Sequence, residues 1–160
     1  MEARVMIRVC AWLLGITLAT AVHAGAALRL GLTLDTYSTD IASLVRPLQI
    51  RLNSHSLLAQ GDLPQQRSNE LSEQQIVVAA YDADGRELRR LAVLDPRLLI
   101  AETLDAQGHL VRAAERVQPH SRLDLLVPAE TDRIALFKPQ WNGRDFELLP
   151  LAQLRLGLLP

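Results

Sequence analysis

Short apolar runs separated by turn residues are the sequence feature that most restricts the fold of this chain. In the run "SRLDLLVP", Leu123, Leu125 and Val127 alternate with the polar residues Arg122 and Asp124. An apolar side chain at every second position is typical of a β-strand with one buried face. From residue 76 onward such runs recur about every 8 to 12 residues, a spacing that favours a sandwich or barrel over βαβ units.

Two earlier runs, "LRLGLTL" (28–34) and "LQIRL" (48–52), show the same alternation. The pattern therefore predicts an all-β chain, an antiparallel immunoglobulin-like β-sandwich of about 7 to 9 strands. This likeness concerns the fold and carries no function. Between the two runs, Ser38 or Thr39 is a candidate helix cap and Pro47 a stop, which predicts one short helix.

Two runs depart from strict alternation. Leu88 and Leu91 are three residues apart, so that run requires a bulge or a helical turn. Pro139 lies inside another run, which predicts a strand that is interrupted or at the edge of a sheet, because proline has no N–H to donate.

The first residues have the layout of a secretory signal peptide. Arg4 and Arg8 precede an uncharged stretch of 14 residues, 9–22, and small residues follow. The stretch is shorter than the ~20 residues that a membrane-spanning helix needs. We therefore predict a signal peptide at 1–24, cleaved after Ala24 or two residues later. Residues 25–160 are expected to form one periplasmic or secreted domain, without stable membrane insertion and with a polar loop at 60–75.

Composition excludes several classes of function for residues 25–160. Cys10 is the only cysteine, so the exported chain has no disulfide, thiol nucleophile or zinc–thiolate site. Its 15 basic and 17 acidic residues give a formal charge of −2, which predicts no nucleic-acid partner. Lys138 is its one lysine beside 14 arginines, which we interpret as a coding bias.

The stretch "YDADGRELRR" (81–90) has two interpretations. Asp82 and Asp84 resemble the start of a calcium loop, but the ligand positions that follow do not fit one. In the other interpretation Asp82 opens a hairpin turn and Gly85 takes a positive φ. Residues 105–108, "DAQG", repeat the Asp and Gly at the same spacing without the middle Asp, so we predict two successive hairpins. Asn142-Gly143 predicts a further hairpin turn.

Candidate catalytic residues are few, and the common nucleophile, phosphate and dinucleotide motifs are absent, so no cofactor is predicted. Asp95, Arg97 and Glu102 are candidates for a carboxylate pair beside a cation, suited to acid–base work. The competing interpretation is a proline-containing turn on a charged solvent face.

The three histidines of the exported chain do not have metal-ligand spacing. His55 stands alone, and His109 and His120 meet only if their strands return side by side. Tyr37 and Trp141 are the two aromatic candidates for stacking on a sugar, but Trp141 is expected to pack on Phe146 or Arg144 at the hairpin.

These observations favour a non-catalytic cell-envelope protein that binds another protein or a peptide. The alternative is a small periplasmic hydrolase or metal-dependent enzyme that uses Asp95 and Glu102 or the histidines. For the C-terminal stretch "LPLAQLRLGLLP" (149–160), alternation favours a strand that packs in the core. An exposed edge strand that captures a partner by strand addition is the other interpretation.

Overall fold

The computed structural model describes residues 26–59, 63 and 70–157, without the side chains of 112–114, and these residues form an all-β protein. The expected signal peptide, most of the expected polar loop and residues 158–160 lie outside the described residues. Within the described ranges, no helix is long and apolar enough to cross a membrane.

Nine strands follow one another along the described chain, as the alternation predicts. They are β1 (Ala27–Asp35), β2 (Gln49–Leu58), β3 (Gln75–Tyr81), β4 (Glu87–Leu94), β5 (Leu98–Leu104), β6 (Leu110–Val117), β7 (His120–Pro128), β8 (Arg133–Trp141) and β9 (Phe146–Arg155).

The strands form three antiparallel sheets, with the orders β2-β1-β7, β4-β3-β8-β9 and β5-β6. The first two sheets share one hydrophobic core. On β1 every second residue from Leu28 to Leu34 is buried in it, and β7 contributes Leu123, Leu125 and Val127. From the other sheet β3, β8 and β9 contribute apolar side chains to the same core. Period-two alternation thus gives each of these sheets a buried apolar face.

The predicted helix is present as a single 3₁₀ helix, Ile41–Val45. Its N-cap is Asp40, so the assignment of the cap to Ser38 or Thr39 is wrong. Ser38 instead accepts a hydrogen bond from the Asp40 N–H through its hydroxyl, at 3.2 Å. The helix ends at Val45, two residues before Pro47, because the residue before a proline avoids helical backbone.

A bulge explains the broken alternation in β4. Ala80 of β3 lies opposite Arg89, and Tyr81 lies opposite Glu87, so Leu88 is the extra residue. Of the two expected explanations, the bulge is therefore confirmed and the helical turn is wrong.

Pro139 does not interrupt its strand, because β8 runs on to Trp141. β8 is an inner strand, but β3 pairs with it only from Arg133 to Phe137. At Pro139 the strand pairs on one side only, with Leu148 of β9. On the side where β3 would pair, no strand partner is present to miss the N–H that proline lacks. The expectation of a local edge is therefore confirmed.

Two hairpin turns have the same construction, as the repeated Asp and Gly predict. Gly85 and Gly108 have φ values of 84° and 83°. In each turn the glycine N–H donates to the Asp carbonyl, and an Asp side-chain oxygen accepts from the N–H four residues on, at 2.8 Å. These turns connect β3 to β4 and β5 to β6, so both hairpins are confirmed.

The third turn, between β8 and β9, differs in detail from the expectation for an Asn-Gly pair. Gly143 has a φ of 99°, but in the described chain no residue other than glycine has a positive φ. Asn142 instead caps the turn through its side-chain oxygen, which accepts from the N–H groups of Arg144 and Asp145.

The last strand combines features of both interpretations of the C-terminal stretch. Leu151 and Leu156 lie in the core, as the favoured interpretation predicts. β9 is nevertheless the edge of its sheet. Part of that edge is already bonded, because the carbonyl of Leu151 accepts a hydrogen bond from the N–H of Leu48 at 3.0 Å. Residues 158–160, which include Leu159, lie outside the described residues.

Candidate functional site

β5 and β6 form a two-stranded ribbon, Leu98–Val117, that belongs to neither of the larger sheets. Large apolar side chains on it are between 37% and 69% exposed. They are Leu99, Ile100, Leu104, Leu110 and Val111. Several large apolar side chains in solvent on one short element are a candidate interaction site.

Apolar side chains occupy both faces of this ribbon. The register pairs Leu104 with Leu110 and Thr103 with Val111, and successive side chains of a strand point to opposite faces. A two-stranded hairpin is marginally stable on its own in water. The ordered position of the ribbon therefore depends on how its root is attached to the rest of the protein.

Backbone hydrogen bonds attach the root to its surroundings. The Gln118 N–H donates to the Arg97 carbonyl at 2.7 Å, and the Leu98 N–H donates to the Asp95 carbonyl at 3.0 Å. Val117, at the end of β6, is 3% exposed. The turn that holds Asp95 and Arg97 thus fixes the start of β5 and the end of β6 together.

A buried charged cluster, Asp95, Arg97 and Lys138, lies directly behind this root. Arg97 is fully buried, and Asp95 and Lys138 are 3% and 2% exposed. One Asp95 oxygen, Oδ1, accepts from Arg97 Nε at 2.9 Å and also from the Arg97 backbone N–H. The other, Oδ2, accepts from Arg97 Nη2 at 2.8 Å and from Lys138 Nζ at 2.9 Å.

Burial and ion pairing act in opposite directions on the acid of this cluster. Burial on its own raises the pKa of Asp95, but the hydrogen bonds and charges of Arg97 and Lys138 outweigh it and leave that pKa below its usual value. Burial lowers the pKa of Lys138 despite the neighbouring Asp95 carboxylate. Asp95 is therefore held ionised between two cations.

The cluster connects parts of the chain that are distant in sequence. Arg97 Nη2 donates to the carbonyl of Leu44 in the 3₁₀ helix at 3.1 Å, and Lys138 belongs to β8. Arg97 Nη1 is buried, and no hydrogen-bond partner for it is found in the described part of the chain. Removing one member therefore affects the helix, β8 and the ribbon root together.

The expected site at Asp95, Arg97 and Glu102 is only partly assembled. Asp95 and Arg97 meet, whereas Glu102 is exposed on the ribbon, about 13 Å along β5 from Leu98. The turn at Pro96 is present. The competing expectation of a charged solvent face holds for Glu102, which is exposed, but is wrong for Asp95 and Arg97, which are buried. Sequence reasoning missed Lys138, although the one lysine of the sequence lies in the apolar run of β8, two residues after the buried Leu136.

The histidines lie apart from one another. His109 Nδ1 lies 3.2 Å from Asp105 in the ribbon turn, and His120 Nδ1 lies 2.6 Å from Asp35. The hydrogen bond from His120 lowers the pKa of Asp35. β6 separates His109 from His120 by roughly 26 Å of strand, so the two do not converge. His55 is exposed on β2. Among the described residues, no group of three or more His, Cys, Asp or Glu is placed to hold a metal.

A groove of about 670 Å³ opens beside the ribbon root, and we call it the root groove. Its apolar lining is Ile41, Leu44, Leu98, Trp141 and Phe146. Its polar lining is Ser72, Glu73, Gln74 and Glu115. Trp141 packs edge-on against Phe146 with ring centroids 5.3 Å apart, as expected from the sequence, and remains 49% exposed.

Comparison with known protein families, with curated proteins and with solved structures finds no match to this chain.

Proposed function

We propose that this chain is a non-catalytic, exported cell-envelope protein that binds another protein or a peptide through the ribbon. The observation that carries the proposal is the set of five large apolar side chains exposed on β5 and β6. Burying them in a partner would remove apolar area from water, which is the main favourable term in protein association. The partner is a protein of the envelope, and neither nucleic acid nor membrane insertion is part of the proposal.

Export and fold class complete the proposal. The Arg-flanked apolar stretch at 1–24 supports export to the periplasm or beyond, with residues 25–160 as the exported domain. Two antiparallel sheets that share one core support an immunoglobulin-like sandwich. On that scaffold the ribbon is an appended hairpin between β4 and β7.

The ribbon is a better docking element than the edge of β9. β9 directs Leu151 into the core, and its edge already receives a hydrogen bond from Leu48. β5 and β6 pair only with each other in the described structure, so each has an edge without a strand partner there. Unpaired strand edges with apolar side chains are a common route to strand addition.

No observation favours the enzyme alternative. Both oxygens of Asp95 are occupied by Arg97 and Lys138, and Glu102 is remote from them. A carboxylate held ionised by two cations is a poor general acid. Metal analysis of the purified chain tests the alternative directly: a stoichiometric content of zinc, copper or calcium would favour a metal-dependent enzyme over the simple binding protein.

Site-specific photo-crosslinking in intact cells tests the ribbon. A photoreactive residue at Leu104 or Val111 should give a discrete cross-linked product with one envelope protein. The same residue at Leu57, which is 66% exposed on β2, is the matched control and should give none. Leu110→Ser should abolish the Leu104 product while the chain stays folded. Equal labelling from Leu57, or no product from either ribbon position, would contradict the proposal.

A further inference from the structure

The outer edge of β7 has no strand partner in the described structure. β7 ends the sheet β2-β1-β7, and its pairing with β1 is regular, without a bulge. The Thr36 N–H donates to the Pro119 carbonyl, and the Ala129 N–H donates to the Ala26 carbonyl, at the two ends of this pairing. Odd-numbered residues of β7 therefore direct their N–H and C=O groups to β1, and even-numbered residues direct theirs outward.

A groove of about 420 Å³ runs along this edge. Leu125 and Leu126 both line it, although neighbouring side chains of a strand point to opposite faces. A groove that both side chains line lies at the edge of the strand and not on one face of the sheet. The outward backbone groups of Arg122, Asp124 and Leu126 are unpaired within the described ranges. Open edges of this kind can accept an added strand.

Two opposite charges stand on the solvent face of this edge. Arg122 Nε and Nη2 both donate to Asp124 Oδ1, at 3.2 and 3.1 Å. Arg122 Nη1 and Asp124 Oδ2 have no hydrogen-bond partner among the residues that the structure describes. The two side chains are 67% and 60% exposed. Each side chain therefore keeps one group with which it can form a second ion pair.

Symmetry restricts how two copies of β7 can pair. In an antiparallel pair related by a two-fold axis, one residue lies opposite its own copy. With Leu123 at this position, each Arg122 lies opposite the Asp124 of the second copy, and the outward backbone groups of the two strands meet. An axis at Arg122 or Asp124 sets like charges opposite each other, which is destabilising. An axis at Ser121 or Leu125 does not bring the two opposite charges together.

We propose that this protein forms a two-fold symmetric dimer through β7, with Leu123 on the axis. Arg122 and Asp124 of the two copies then alternate in sign around the axis, so each charge has an opposite charge beside it and another across the interface. On the inner face, Leu123 meets its own copy and continues the apolar core. Charged side chains commonly protect an edge from strand addition, whereas here they permit one register. The surface is separate from the ribbon, so the dimer goes beyond the proposed function.

Charge exchange at the axis tests the dimer, with sedimentation velocity over a concentration series as the measurement. Wild type should show a reversible monomer–dimer equilibrium. Arg122→Asp leaves only acidic side chains around the axis and Asp124→Arg leaves only basic ones, so each variant alone should dimerise at least about tenfold more weakly. An equimolar mixture of the two variants should recover the dimer, because an acidic strand then meets a basic strand.

Two further variants separate this register from a general effect of charge. The double exchange Arg122→Asp with Asp124→Arg restores the alternation and should dimerise as wild type does. Arg144→Asp, the same change in the exposed β8–β9 turn, is the matched control and should leave the equilibrium unchanged. Thermal unfolding should be nearly the same in all variants, because exposed ion pairs contribute little to stability.

A wild type that stays monomeric at every concentration reached overturns the inference. A dimer that persists in both single variants, or a mixture that does not recover it, overturns the inference as well, because association then uses another surface. Loss of that dimer in Leu110→Ser would assign it to the ribbon. A monomeric wild type whose Leu104 position still cross-links to an envelope protein rejects the dimer and leaves the proposed function standing.

Discussion

Two neighbouring regions, the buried charged cluster and the ribbon, invert the usual arrangement of a globular protein. The charged cluster of Asp95, Arg97 and Lys138 is enclosed, whereas the large apolar side chains of the ribbon are in solvent. Burying charge and exposing apolar surface both cost stability relative to the opposite arrangement. Arg97 of the cluster and Leu98 of the ribbon are adjacent in the chain, so the buried charged region and the exposed apolar region meet at this peptide bond.

The two regions differ in what depends on them. The cluster ties the 3₁₀ helix and β8 to the turn before β5, so the folded state relies on it. The exposed end of the ribbon supports no other element in the described structure, and under the proposed function its apolar side chains are the ones that a partner would bury. Departures from local folding rules concentrate where a protein has a task beyond folding.

The largest expected effect comes from removing the acid of the cluster, which tests whether the folded state depends on it. Asp95→Asn leaves Arg97 and Lys138 buried without a counter-charge and should lower the free energy of unfolding by about 3–5 kcal/mol. Lys138→Met leaves one cation for one carboxylate and should cost less. Urea unfolding monitored by Trp141 fluorescence measures both. A loss for Lys138→Met as large as that for Asp95→Asn would show that charge balance is not what the cluster provides.

Acidification should also lower the stability, but by less than Asp95→Asn, because it protonates the same carboxylate. The folded pKa of Asp95 lies below its unfolded value, so the stability that it contributes is complete above that unfolded value, about 3.9, and is lost as the pH falls through the folded pKa. Thermal unfolding from pH 6 downward should show a falling midpoint below about pH 4.

Lys138→Met is the matched variant for the acid experiment. It removes one of the cations that lower the pKa of Asp95, so the folded pKa moves toward the unfolded value. The loss of stability on acidification should then be smaller than in wild type and should be complete at a higher pH. An unchanged acid profile in Lys138→Met would mean that other groups, such as Asp35 or Asp105, dominate.

The smallest expected changes in stability come from matched glycine substitutions, one in a turn of the core sheets and one in the turn of the ribbon. Gly85 and Gly108 have nearly the same positive φ and open space around them, so valine strains the backbone equally at both. Gly85→Val, in a hairpin of the core sheets, should lower global stability by about 1–3 kcal/mol. Gly108→Val should leave it within about 0.5 kcal/mol, because the ribbon tip opens locally.

Hydrogen exchange separates the two glycine variants. In Gly108→Val only the amides of β5 and β6 should lose protection, whereas in Gly85→Val protection should fall throughout the core sheets. Asp84→Gln, beside Gly85, should be almost silent, because residue 107 is already Gln in the equivalent turn. Global destabilisation by Gly108→Val would show that the ribbon is part of the cooperative core.

Local rules predicted the strands and turns well, because alternation and turn chemistry depend only on residues that are close in sequence. The bulge at Leu88 and the positive φ of Gly85 belong to this class. The cluster could not be predicted, since Lys138 lies 43 residues from Asp95 and only the folded topology joins them. The sequence predicts β5 and β6 as two ordinary sandwich strands, because a short apolar run bounded by turn residues is the same whether or not another sheet covers it.

The pairing of β1 with β7 determines the order in which this chain can fold. Asp35 and His120, at one end of that pair, are separated by 85 residues, whereas β1 and β2 are neighbours in sequence. During synthesis β1 can find β2 early but must wait for most of the chain before β7 exists. Closing such long loops slows folding to the millisecond-to-second range typical of all-β domains. Until β7 pairs with it, β1 has an unpaired edge and exposed leucines, where the chain can aggregate or be bound by a chaperone.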